Sequence, residues 1–137
     1  MTKVVYNACY GGFGLSKEAI QRYWEIKGQQ VWIEDALWGF TVWLVPPEER
    51  VVQKEWRSMT QEERTDFNER YSKQTWYDRN VSRHDPILVQ VVEELGEKAD
   101  GMCAKLAIAE VSGPYRIDEY DGFESVETPN SYDWIIP

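Results

Sequence analysis

The apolar residues of this chain come in short runs closed by glycine, proline or Asp-Gly, and the longest, Phe40 to Val45, stops at Pro46. Runs of that length suit short strands and one-sided helices. A membrane helix needs roughly 20 consecutive apolar residues, and the N-terminus has no basic-then-apolar signal region. The expectation is one soluble, cytoplasmic domain spanning residues 1–137. With 42% hydrophobic and 14% aromatic content, the chain can build an ordinary core at this length.

The punctuation divides the chain into elements. Residues 3–8 are rich in β-formers and run into Gly11, Gly12 and Gly14, which predicts a strand ending in a turn. Ser16 then caps a helix whose apolar stripe is Ala19, Ile20, Tyr23, Trp24 and Ile26, with Gly28 at its C-terminal cap. Strands are predicted over Gln30 to Glu34 and Phe40 to Val45. Residues 48–74 are charged and insertion-like, and they hold a capping box, Thr60 with Glu63, ahead of a helix running to about Lys73. Asp85 and Pro86 start a second core helix along Leu88, Val91, Val92 and Leu95. Three strands follow: Cys103 to Val111, Tyr115 to Tyr120, and a third through Phe123 and Val126 across an Asp121-Gly122 turn. The order is β-α-β-β-α-α-β-β-β, with hairpin-style connections. The fold class is therefore α+β, a largely antiparallel sheet with two core helices and a charged surface helix.

The net charge is −9, and it is unevenly placed. Residues 1–84 balance, whereas residues 85–137 set Lys98, Lys105 and Arg116 against twelve carboxylates. Such a surface repels phosphate backbones and attracts basic protein patches, which argues against direct nucleic-acid binding and favours a basic protein partner. Asp118, Glu119, Asp121 and Glu124, together with Trp134 and other aromatics near loops (Trp38, Trp56, Trp76 and Tyr77), are the candidate contact residues. A merely solvated acidic face is the plainer reading of the same charges.

Three further groups bear on chemistry. Gly11, Gly12, Phe13, Gly14 and Ser16 form a glycine-rich turn feeding a helix N-terminus, a geometry that suits a nucleotide-like anion. The spacing matches neither the dinucleotide fingerprint nor the P-loop, so a tight turn requiring glycine explains it as well. Cys9, His84 and Asp85 could form a thiol–imidazole pair, but Asp85 is already accounted for as a helix cap. The hairpin carboxylates lack the order of a calcium loop. Cys9 and Cys103 match no zinc pattern and are expected to be small buried thiols. No catalytic residue, metal or cofactor is assigned, and a homo-oligomer is possible.

Several segments resemble those of a group of small bacteriophage and bacterial proteins: Val4 to Ser16, Arg83-His84-Asp85-Pro86 with Val91 to Gly96, Ala104-Lys105-Leu106, and Glu119-Tyr120-Asp121-Gly122. The resemblance covers about half the chain and brings no catalytic residue. It implies a phage or prophage setting, in which small accessory proteins act by binding host or defence factors.

Overall fold

The structure, a computed structural model, describes residues 1–37, 39–52 and 54–129. The chain forms an α+β fold divided into two compact units, one made of residues 1–27 and 78–137 and the other of residues 28–77. Among the described residues no helix is long and apolar enough to cross a membrane.

In the larger unit, β1 (Thr2–Asn7) pairs antiparallel with β5 (Leu106–Val111), with Val4 opposite Ala109 and Val5 opposite Ile108. Val4 and Val5 are both fully buried, so β1 is covered on its two faces. α1 (Lys17–Lys27) begins at Ser16, whose Oγ accepts the Ala19 N–H at 3.1 Å, and its Ala19, Ile20, Tyr23 and Trp24 are buried. α3 (Pro86–Leu95) buries Leu88, Val89, Val91 and Val92. Asp85 fastens these two helices together. Its Oδ1 accepts the Ile87 N–H at 2.8 Å as a cap, while its Oδ2 accepts the Tyr23 hydroxyl at 2.7 Å.

Burial, and then the Asp85 bond, pushes the Tyr23 phenol above its ordinary value of 10.0. A folded-state pKa raised above the unfolded one stabilises the fold fully below that ordinary value, and the contribution is lost as the pH climbs beyond it. In an alkaline spectrophotometric titration Tyr23 is therefore expected to ionise later than a free tyrosine phenol. Tyr23→Phe should lose about 1 kcal/mol of stability at neutral pH and flatten the alkaline limb of the stability curve.

β6 (Arg116–Tyr120) and β7 (Phe123–Glu127) form a hairpin across Asp121 and Gly122, whose φ values of 52° and 88° are those of a type I′ turn. β7 lies beside β1 without a ladder between them. Arg83 fills the gap: its carbonyl accepts the Val5 N–H at 2.8 Å, and its guanidinium holds Glu124 of β7.

The smaller unit holds a three-stranded antiparallel sheet of β2 (Trp32–Ala36), β3 (Gly39–Trp43) and β4 (Thr75–Trp76). α2 (Gln61–Gln74) starts with the capping box, Thr60 Oγ1 accepting the Glu63 N–H at 3.1 Å and Glu63 returning to the Thr60 N–H. No residue of α2 is buried. Its Phe67 and Tyr71 stack on each other at 5.7 Å, and Tyr71 meets the edge of the buried Trp43. The first two of these strands differ from expectation by about two residues, because alternation marks a strand without marking where its hairpin turns.

Two expectations about burial are overturned. Cys103 is exposed and Cys9 half-buried, because β5 begins only at Leu106 and residues 101–104 form a surface turn. Glu124, expected on a solvated hairpin, is 4% exposed.

Candidate functional site

The hairpin of β6 and β7 is held in place by a polar cluster beneath it. Asn7, at the end of β1, is fully buried, and both of its side-chain polar atoms are hydrogen-bonded. Its Nδ2 donates to the carbonyls of Cys9 and Gly122, both at 2.8 Å, and its Oδ1 accepts the Lys105 N–H at 2.8 Å. The Asn7 N–H donates to Glu124 Oε1 at 2.8 Å. Arg83 grips both Glu124 oxygens at 2.6 and 2.9 Å while its guanidinium lies 3.5 Å from the centre of the Phe13 ring. A charge this deeply buried survives only with a paired cation and hydrogen-bonded oxygens, and Glu124 has both.

Glycines complete the anchorage by permitting backbone to touch backbone. A Cβ on Gly11 would overlap the Cys103 carbonyl, and one on Gly101 would come within 2.7 Å of the Gly14 carbonyl carbon. Two amides at the helix end of the loop are also committed to the protein's own groups. Leu15 N–H donates to Asp78 Oδ2 at 2.8 Å and Ser16 N–H to the Ala99 carbonyl at 3.0 Å, while Ser16 Oγ bonds the Lys98 carbonyl and the Ala19 N–H. Close packing thus accounts for Gly11, and an internal carboxylate faces the turn at Gly14 where an anion was envisaged. Nothing in this arrangement adds support for a ligand at Gly11, Gly12, Phe13, Gly14 and Ser16.

Above this anchorage the hairpin presents two different faces. Cross-strand partners share a face, so Tyr120 and Phe123 project together with Asp118 and Ser125, whereas Glu119 and Glu124 project oppositely with Ile117 and Val126. Tyr120 is 79% exposed, and Phe123 stacks on Tyr10, itself 66% exposed, at 5.2 Å. Three solvent-facing aromatics therefore gather at the turn beside Asp118 and Asp121. Of the four expected contact carboxylates, the structure puts these two with the aromatics, sends Glu119 to the other face and buries Glu124. Trp134 and Trp38 lie outside the described residues. The exposure of Tyr10, Tyr120 and Phe123 is not legible in the sequence, because Tyr10 and Phe123 each adjoin a turn glycine and Tyr120 ends a strand, positions at which an aromatic reads equally well as packed. The Asp-Gly hairpin signal already fixed Tyr120 and Phe123 as neighbours.

The charge is less free than its total suggests. Glu93 pairs with Lys3, Glu94 with Arg22, Asp118 with Arg116 and Glu124 with Arg83. Arg22, and then Gln90, holds the Glu94 carboxyl below the usual carboxylate range by hydrogen bonding. Glu97, Glu110, Glu119 and Asp121 face solvent.

Cys9, His84 and Asp85 do not assemble. Cys9 Sγ donates to the Cys103 carbonyl at 2.9 Å, His84 Nδ1 lies 2.6 Å from the Tyr115 hydroxyl, and Asp85 serves Tyr23 and Ile87. His84 also borders an open groove of about 520 Å³ along Lys3, Pro86, Val89 and Gln90. Among the described residues no group of three or more His, Cys, Asp or Glu side chains could hold a metal ion. No family model, no curated protein and no solved structure matches this chain.

Proposed function

We propose that this protein is a non-enzymatic binding module that docks on a basic patch of another protein through the turn end of the β6–β7 hairpin. The observation that carries the reading is the outward trio of Tyr10, Tyr120 and Phe123 beside Asp118 and Asp121. Tyrosines offer large, stiff contact area at little entropic cost, and the neighbouring carboxylates steer a cationic partner into place. Because the hairpin is fastened from below by Asn7, Arg83 and Glu124, little ordering remains to be done on binding. In the phage setting that the resemblance implies, the partner is a host or defence protein in the host cytoplasm.

The test is a low-salt capture from host lysate with the wild-type chain and with Tyr120→Ala/Phe123→Ala side by side. A stoichiometric partner held by the wild type is expected to bind the double variant about 30-fold more weakly, which corresponds to ~2 kcal/mol. Its affinity should also fall as salt is added. Equal capture by both chains, or no partner for either, would count against the hairpin.

A further inference from the structure

We propose that the outer edge of β5 is a self-pairing surface, on which a second copy of this chain adds its own β5 antiparallel to make a continuous β1–β5–β5–β1 sheet. Among the described residues β5 has β1 as its single neighbour in the sheet. The direction of its backbone groups follows from β1. Val5 N–H donates to Arg83 and Asn7 N–H to Glu124, so the odd residues of β1 face away from β5 and its even residues pair with it. In the observed register the inward residues of β5 are then Ala107, Ala109 and Val111, and the outward ones are Leu106, Ile108 and Glu110. Asp100 Oδ1 takes the Leu106 N–H at 2.9 Å. Among the described residues nothing takes the N–H or C=O of Ile108 or Glu110.

That leaves two donors and two acceptors in a row, a pattern that complements itself. A two-fold axis at Ala109 sets Ile108 opposite Glu110 of the other copy, and each such pair exchanges two hydrogen bonds. Four bonds form, and no carboxylate stands directly opposite its twin. Centring on Ile108 would instead use the Leu106 amide, which Asp100 already occupies. Side chains support the same partner: Ala107 and Ala109 are small, so two copies approach without obstruction. The other long edges carry the charges that usually blunt strand pairing, with Arg116, Asp118 and Glu119 along β6 and Glu34 and Asp35 along β2. β5, Leu-Ala-Ile-Ala-Glu-Val, has one charge and neither proline nor lysine.

Sedimentation equilibrium and amide exchange test this together. The mass should rise with concentration from 16.1 kDa towards twice that value, and the Ile108 and Glu110 amides should gain protection in parallel. Glu110→Pro removes an outward donor without touching the ladder to β1, and is expected to weaken dimerisation at least about tenfold while keeping the circular dichroism spectrum. Glu110→Gln keeps the amide and should dimerise at least as well as the wild type. Added salt should strengthen the dimer, since both copies carry −9, whereas it weakens capture of a basic partner. The proposal is overturned if the wild type stays at 16.1 kDa, if it dimerises while both amides exchange freely, or if Glu110→Pro dimerises as tightly. Should that variant fail to fold, wild-type amide exchange decides alone.

Discussion

Glu124→Ala is expected to lower the unfolding free energy by about 3–5 kcal/mol, a large share of the whole stability of a small domain. The loss has two parts. The Arg83 guanidinium, 15% exposed, would remain in place without its counter-ion, and the Asn7 N–H would lose its acceptor. Arg83→Ala should cost a similar amount, because it strands a carboxylate that is 5% exposed. The instructive variant is the pair Arg83→Met/Glu124→Leu, in which no buried charge is left alone and apolar packing replaces the ion pair. It should be less destabilised than either single variant. Urea unfolding followed by circular dichroism measures all three. Singles each costing under about 1 kcal/mol would mean that the pair behaves like an exposed salt bridge and does not hold the hairpin.

The second large effect is expected at Gly122, and a series of glycines separates its causes. Gly113 has open space where a Cβ would go and no positive φ, so Gly113→Ala should stay within about 0.5 kcal/mol of wild type. Gly28 also has open space but sits at φ +78°, and Gly28→Ala should cost ~1 kcal/mol for the left-handed backbone. At Gly122 the φ of +88° is joined by a steric barrier, with the Tyr10 carbonyl at 2.5 Å and the Gly12 amide nitrogen at 2.6 Å from the added carbon. These neighbours are backbone and cannot swing aside. Gly122→Ala should therefore cost ~3 kcal/mol or more, combining strain with displacement of the glycine-rich loop. Thermal melts of the three variants give the ranking, and a Gly122→Ala loss no larger than that of Gly28→Ala would show that the loop yields freely.

The fold was legible wherever local chemistry dictates it. Ser16, Thr60 with Glu63, and Asp85 with Pro86 each start a helix where their side chains cap amides, and Asp121-Gly122 makes the turn its φ values demand. The site was legible only in part, because its decisive contacts join residues remote in sequence. Nothing near Glu124 announces that Arg83 will meet it, so a carboxylate among other hairpin carboxylates reads as solvated. Likewise, Cys103 follows an apolar pattern into β5 yet lies on a turn whose position depends on Asp100 accepting the Leu106 amide. Strand alternation separates Asp118 from Glu119, but which of the two shares a face with the aromatics depends on the direction of the body, which the sequence does not encode locally.

The polar cluster under the hairpin also sets the order in which this chain can mature. The Asn7 amide and its Glu124 acceptor are 117 residues apart, so all of the chain between them must leave the ribosome before the two can meet. Until then the Asn7 amide and the Arg83 guanidinium lack the carboxylate they share in the folded protein, and one Asn7 side-chain proton lacks the Gly122 carbonyl. Closure of so distant a contact belongs to the last stage of folding, and a nascent chain cut short before the hairpin would emerge with its most polar interior positions unanswered.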